Sequence, residues 1–171
     1  GFSDYVRDWN QGSSIQVKNL IKADVPSDLM TASLRYKYET ISDPSSPVKI
    51  YMWHDMSAYG QYVDTVYFGT EVPGATIYTN PDASNMFSFP LEKIYDSTNP
   101  STPYFFNTSK TTNMSWMFSQ FQLSSTGIPF DCTNGGNVSP FSLMDTSNVT
   151  DINGMFNNCH NLDLTDIGSW N

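Results

Sequence analysis

Apolar residues in this chain stand in small clusters between long polar stretches. The segment DTSNVTDINGMFNNC, Asp145 to Cys159, shows the pattern well: Val149, Ile152, Phe156 and Cys159 fall at i, i+3, i+7 and i+10 in otherwise polar surroundings. That spacing predicts one face of a short helix. Ser147 or Thr150 would cap it, and Asp151 in the first turn would suit the helix dipole. Met114, Phe118 and Phe121 repeat the stripe upstream, and Leu162 and Leu164 alternate as a brief strand before Ile167 and Trp170. A helix this short is marginal alone, because isolated helices below about 12–15 residues are barely stable in water. It needs a partner.

The partner is suggested by self-similarity. Asn107–Phe118 (NTSKTTNMSWMF) set over Asp145–Phe156 (DTSNVTDINGMF) matches at five of twelve positions with a shift of 38 residues. A shorter echo, DASNMF at Asp82–Phe87, precedes NMSWMF by 31 residues. Periods of 20–50 residues signal stacked units that cannot bury their apolar faces alone. Each Met-Phe pair is therefore expected to pack on its counterpart one unit away. The irregular period implies insertions, and Ser97–Pro103 and Ser124–Pro140, rich in Ser, Pro, Gly and Asn, read as such.

The first third has a different rhythm. Val48–His54 is an apolar, aromatic run of high strand propensity, and Thr65–Phe68 and Ala75–Thr79 follow across the turn residues GTEVPG. They predict an antiparallel sheet covering the open end of the stack, where the Met86–Phe87 face would otherwise be exposed. Ile15–Ala23 reads as a short helix or a strand, and Ile41–Pro47 as a loop.

Composition narrows the class. The 171 residues suit one body, and 39% hydrophobic with 15% aromatic residues suffice for a core. Charged residues are only 15%, against roughly 25% in ordinary globular proteins. Their place is taken by 22 Ser, 16 Thr and 15 Asn, a habit of secreted bacterial proteins. The net charge is −9, and residues 111–171 carry Asp131, Asp145, Asp151, Asp163 and Asp166 with no Lys or Arg. Nucleic acids and anionic membranes are both bound through cationic groups, so neither is an expected partner. No apolar run approaches the roughly 20 residues of a membrane span.

Candidate chemistry is sparse. His54 and His160 lack a metal-binding spacing, and adjacent Cys159 and His160 would diverge on a helix. No GxSxG elbow occurs, and nothing pairs Glu39, Glu71 or Glu92 for glycoside hydrolysis. No catalytic, cofactor or metal residue is assigned. The Asp and Asn clusters lack the EF-hand pattern and are expected to make side-chain turns at unit corners. Cys132 and Cys159 lack CxxC spacing; Cys159, aligned with Phe121, is expected inward, apolar and reduced. Asn107, Asn113, Asn137 and Asn148 head Asn-x-Ser/Thr strings, read as compositional. Trp53, Tyr59, Tyr62, Tyr67 and Trp116 form either packing or a binding platform, while Trp9 and Trp170 have no assignable role.

The run TSNVTDINGMFNNCHNLDLTDIGSWN resembles one repeat of the BspA-like bacterial surface proteins, a branch of the leucine-rich repeat class. VKIYMWHD and DTVYFGTEVPGATIYTNPDASNMF are similar to the hairpin cap before the first repeat of many members. The likeness covers about 48–118 and 145–171 and is weak over 1–47. The middle units depart from it through their insertions. It implies an α+β fold: a β-rich N-terminal segment and hairpin cap over residues 1–79, then about three leucine-rich-type units over 80–171 forming a short, irregular solenoid. It also implies a secreted, non-catalytic cell-surface protein that adheres to host matrix proteins or other cells, as part of a longer chain. A carbohydrate-binding module using exposed aromatics is the alternative.

Overall fold

The computed structural model of the protein describes residues 17–57, 64–89, 91–119, 131–136, 138–159 and 165–170. Five strands, β1 (Asn19–Lys22), β2 (Tyr36–Thr40), β3 (Ile50–Asp55), β4 (Thr65–Thr70) and β5 (Lys93–Asp96), form one sheet in the order β2-β3-β4-β1-β5. β2, β3 and β4 pair antiparallel, whereas β1 runs parallel to both β4 and β5. The pleat sends alternate residues to opposite faces. Leu20, Met52, Phe68 and Ile94 enter a large core shared with the C-terminal half, while Tyr51 and Trp53 enter a smaller one with Leu29 and Tyr36. β1 is buried on both faces through Leu20 and Ile21, as a strand between two parallel neighbours should be.

The segment after β1 crosses the sheet at Gly69, where an added β-carbon would lie 2.2 Å from the Ala23 carbonyl oxygen. Only glycine permits so close a backbone approach. Ala23, Val25, Leu29 and Ala32 then cover Trp53 and Tyr51.

Beyond the sheet, segments 78–87, 107–118 and 145–156 lie side by side. Isolated parallel bridges join Tyr78 to Asn107, Asp82 to Asn113 and Asn113 to Asp151. Inside them the Phe118 ring lies between Phe87 (5.6 Å, 13°) and Phe156 (6.0 Å, 11°). Trp170 stacks on Phe156 at 6.3 Å and gives Phe141 O its indole hydrogen bond.

The expected α+β fold with a leucine-rich-type solenoid is corrected by this arrangement. The chain builds a single mixed sheet, and no α-helix occurs among the described residues. Two short 3-10 helices, η1 (Pro140–Leu143) and η2 (Thr165–Ser169), are the only helical elements there. The segment predicted as a helix from Val149 is a series of turns. Its physical obstacle is the residue before each Met-Phe pair: Asn85, Trp116 and Gly154 have φ of 57°, 59° and 62°, a left-handed conformation that ends an α-helix. Asp151 caps no helix; its carboxylate closes a side-chain turn by accepting from Asn153 N–H at 2.8 Å. The inward residues change accordingly. Met155 is buried, whereas Ile152, placed on the apolar face by helical spacing, is 54% exposed.

The predicted antiparallel sheet also differs in its membership. β3 and β4 lie at or near the expected strands, but Ala75–Thr79 adds only the Tyr78 bridge. The alternative left open for Ile15–Ala23 resolves to a strand at Asn19–Lys22. Ile15, Phe121, residues 124–130 and 137 of the Ser124–Pro140 insertion, Leu162 and Leu164 lie outside the described residues.

Candidate functional site

One structural device recurs through the molecule. Asp43, Asp55, Asp82, Asp96, Asn107, Asn113, Asp131, Asp145 and Asp151 each accept, through Oδ1, the backbone N–H two residues on at 2.8–3.0 Å. In most of them a Ser or Thr stands at that second position, and its hydroxyl often donates to the same oxygen. The Asp and Asn clusters are thus consumed by turns, as their sequence pattern predicts. At Asp145 the bonds from the Ser147 hydroxyl and N–H hold the carboxyl below its ordinary range.

Two of these turns border a groove of about 460 Å3, lined among others by Lys22, Ile77, Tyr104, Asn107, Leu143 and Asp145. Asn107 N–H donates to Ile77 O at 2.9 Å, and Thr79 N–H returns a bond to Asn107 O at 3.0 Å. The buried Thr108 hydroxyl donates to Asp145 O (2.9 Å) and accepts from Asp145 N–H (2.7 Å). These lining residues are thus tied to one another through backbone groups.

One lining residue, Lys22, belongs to a charge pair. Lys22, at the end of β1, bonds Asp96 at the end of β5, and its ammonium lies 5.3 Å from the centre of the Tyr104 ring. Burial alone would raise the Asp96 carboxyl, but hydrogen bonds from Lys22 and Thr98 outweigh it and hold the group low. The Tyr104 hydroxyl is buried without a hydrogen-bond partner among the described residues. Burial, with the Asp96 charge beside it, pushes its phenol upward. The groove therefore combines a lysine neutralised by Asp96 behind it, an apolar wall of Ile77 and Leu143, and amide and hydroxyl groups already fixed in direction. Its volume falls within the range of roughly 300–1,000 Å3 typical of small-ligand sites.

The aromatics singled out by sequence separate into two places. Trp53 and Tyr67 stack at 5.9 Å on adjacent strands, within one line of paired residues that crosses the whole sheet: Tyr38, Trp53, Tyr67, Ile21 and Tyr95. Trp53 is buried there and packs the smaller core. Trp116 lies among the turns, 38% exposed, with its strained backbone noted above. Tyr59, Tyr62 and Trp9 lie outside the described residues. Strand alternation could have found Tyr38 and Tyr95. Nothing in the sequence marks Tyr104, because its neighbours Lys22 and Asp96 are 82 and 8 residues away.

The other candidates are dispersed. Glu39 lies on β2 and Glu92 beside β5, at opposite sheet edges; Glu92 pairs with Lys18 at 3.0 Å, and Glu71 accepts from Lys49 N–H. His54 is half-buried on β3, and that burial pushes its imidazole down; His160 is not described. Cys132 and Cys159 are both free thiols. Cys159 is only partly buried and donates to Phe118 O at 3.0 Å. Asn107 and Asn113 engage their side chains in turns, Asn148 donates to Ser109 O, and Asn137 is not described. Among the described residues no three His, Cys, Asp or Glu side chains gather as a metal site.

No protein-family model, curated protein or solved structure matches this chain.

Proposed function

We propose that this chain is a non-catalytic binding protein of the bacterial cell surface that adheres to host matrix proteins or to other cells. The observation that carries the reading is the groove, whose polar groups are immobilised by backbone contacts and whose apolar wall is open at Leu143. Fixed donors beside an apolar wall recognise a segment of chain at little ordering cost. The turn-rich, Ser-, Thr- and Asn-dominated surface and the BspA-like motifs support export. Binding of labelled protein to a panel of immobilised matrix proteins tests it. Leu143→Glu should abolish capture of whichever protein is retained, and unchanged capture by that variant would overturn the role of the groove.

Trp116 favours a second reading, a carbohydrate-binding module. An exposed indole held in a costly backbone conformation suits stacking on a sugar ring. A glycan array separates the two, since retention lost in Trp116→Asn but kept in Leu143→Glu would place the ligand there.

A further inference from the structure

The hydrogen bonds joining the three turn segments repeat group for group. Ala83, Asn85 and Phe87 N–H donate to the carbonyls of Asn113, Ser115 and Met117; Met114, Trp116 and Phe118 N–H donate to those of Asp151, Asn153 and Met155. In return, Thr112 and Asn113 N–H share Pro81 O, and Thr150 and Asp151 N–H share Thr112 O. Carried one step further, the pattern leaves Ile152, Gly154 and Phe156 N–H and the Thr150 carbonyl without partners among the described residues. Trp170 already covers the end of the ring stack at Phe156, so among the described residues the apolar interior is closed while the backbone edge is open. Ile152 projects from that edge, 54% exposed.

Charge selects what can pair there. Asp151 lies on the edge, Asp145 lies in the same segment, both exposed, and no Lys or Arg occurs after Lys110. A second copy of this chain, at net −9, would be repelled. An extended basic segment would be attracted.

We propose that this edge binds an extended basic segment of a partner protein by strand addition. Partner carbonyls accept from Ile152 and Gly154 N–H, a partner N–H donates to Thr150 O, an apolar partner side chain covers Ile152, and flanking Lys or Arg face Asp151 and Asp145. The inference rests on the protein-binding reading but uses a different surface from the groove.

The test is an NMR titration of the isotope-labelled chain with a peptide of about ten residues alternating Lys and Val, long enough to span one strand. The Ile152 and Gly154 amides should shift and exchange about tenfold more slowly with solvent. A Glu/Val peptide and a Lys/Val peptide N-methylated at alternate residues should leave them unmoved. Asp151→Asn keeps its turn, as Asn113 does in the preceding segment, and should weaken the peptide about threefold. Leu143→Glu, which disables the groove, should leave the titration unchanged. Silent amides at millimolar peptide, equal response to either control, or loss of binding in Leu143→Glu would overturn the proposal. So would sedimentation showing that the protein alone self-associates with the same amides shifted.

Discussion

Trp116 and Gly154 are bound by a missing atom. A β-carbon at Gly154 would lie 2.7 Å from Cε2 of the Trp116 indole, which fills the space a side chain would take. Both residues also hold left-handed backbone, at φ 59° and 62°. Gly154→Ala should therefore destabilise by about 1–3 kcal/mol, from strained backbone and displaced indole together. Trp116→Asn installs the residue that Asn85 supplies at the same place one segment earlier, and should make Gly154→Ala cheaper. A double-mutant cycle by urea denaturation measures this; additive effects would mean the two residues do not interact.

Phe118, between Phe87 and Phe156, should cost more to remove than Phe156. It is fully buried and also meets Phe141 edge-on at 5.6 Å. Phe118→Ala is expected to cost ~3–5 kcal/mol, and half-buried Phe156→Ala less. Equal losses in equilibrium unfolding would contradict the packing.

The two thiols should differ in reactivity. Cys132 is wholly buried, and burial beside Asp131 pushes its thiol upward, while Cys159 is partly open. Native alkylation should label Cys159 first and Cys132 only on unfolding. The bond from the Cys159 thiol to Phe118 O also reverses the expectation for a fully inward residue. A serine can keep that bond and an alanine cannot, so Cys159→Ala should cost ~1 kcal/mol and Cys159→Ser less. Mass spectrometry finding no alkylatable thiol after denaturation would reveal a bridge and refute this account.

Stability should fall at both ends of the pH scale. Serine hydroxyls and turn N–H groups lower Asp43, Asp82 and Asp145; burial is overcome at Asp55 by bonds from Ser57 and Arg35, and at Asp96 by bonds from Lys22 and Thr98. Carboxyls depressed on folding stabilise above about pH 4, and that contribution is lost as pH falls through their lowered values. His54, lowered by burial, acts in the same direction beginning below its ordinary 6.5. Tyr36, Tyr51, Tyr95 and Tyr104 are raised by burial, so their contribution is complete below pH 10 and lost as pH rises further. Thermal midpoints measured from pH 2 to 12 should form a plateau with two falling limbs; a flat acid limb would mean the turns carry no ionic stabilisation.

Salt and chelator should act oppositely to the way they act on a calcium-dependent protein. Screening the acidic C-terminal part should raise the thermal midpoint modestly. Chelator should leave it unchanged, because the turn carboxylates are already occupied by N–H and O–H donors. A chelator-induced drop would assign those clusters to a metal.

The Asp-x-Ser and Asn-x-Ser turns were legible in the linear chain because each is closed within three residues. So were β3 and β4, whose aromatic, β-branched runs carry their own alternation. The shifts of 31 and 38 residues reappear in space as the bridges Asp82–Asn113 and Asn113–Asp151. The helix was misread because periodicity reports which side chains are apolar and is blind to the φ of Asn85, Trp116 and Gly154. Insertion of β1 between β4 and β5 had no local sign either. It depends on residues 19–22 meeting 65–68 on one side and 93–96 on the other, a choice made by burying Leu20 and Ile21 on opposite faces. The groove is the furthest from the linear chain, since Lys22, Tyr104 and Asp145 acquire a common wall only when that sheet and the turn segments pack on one core.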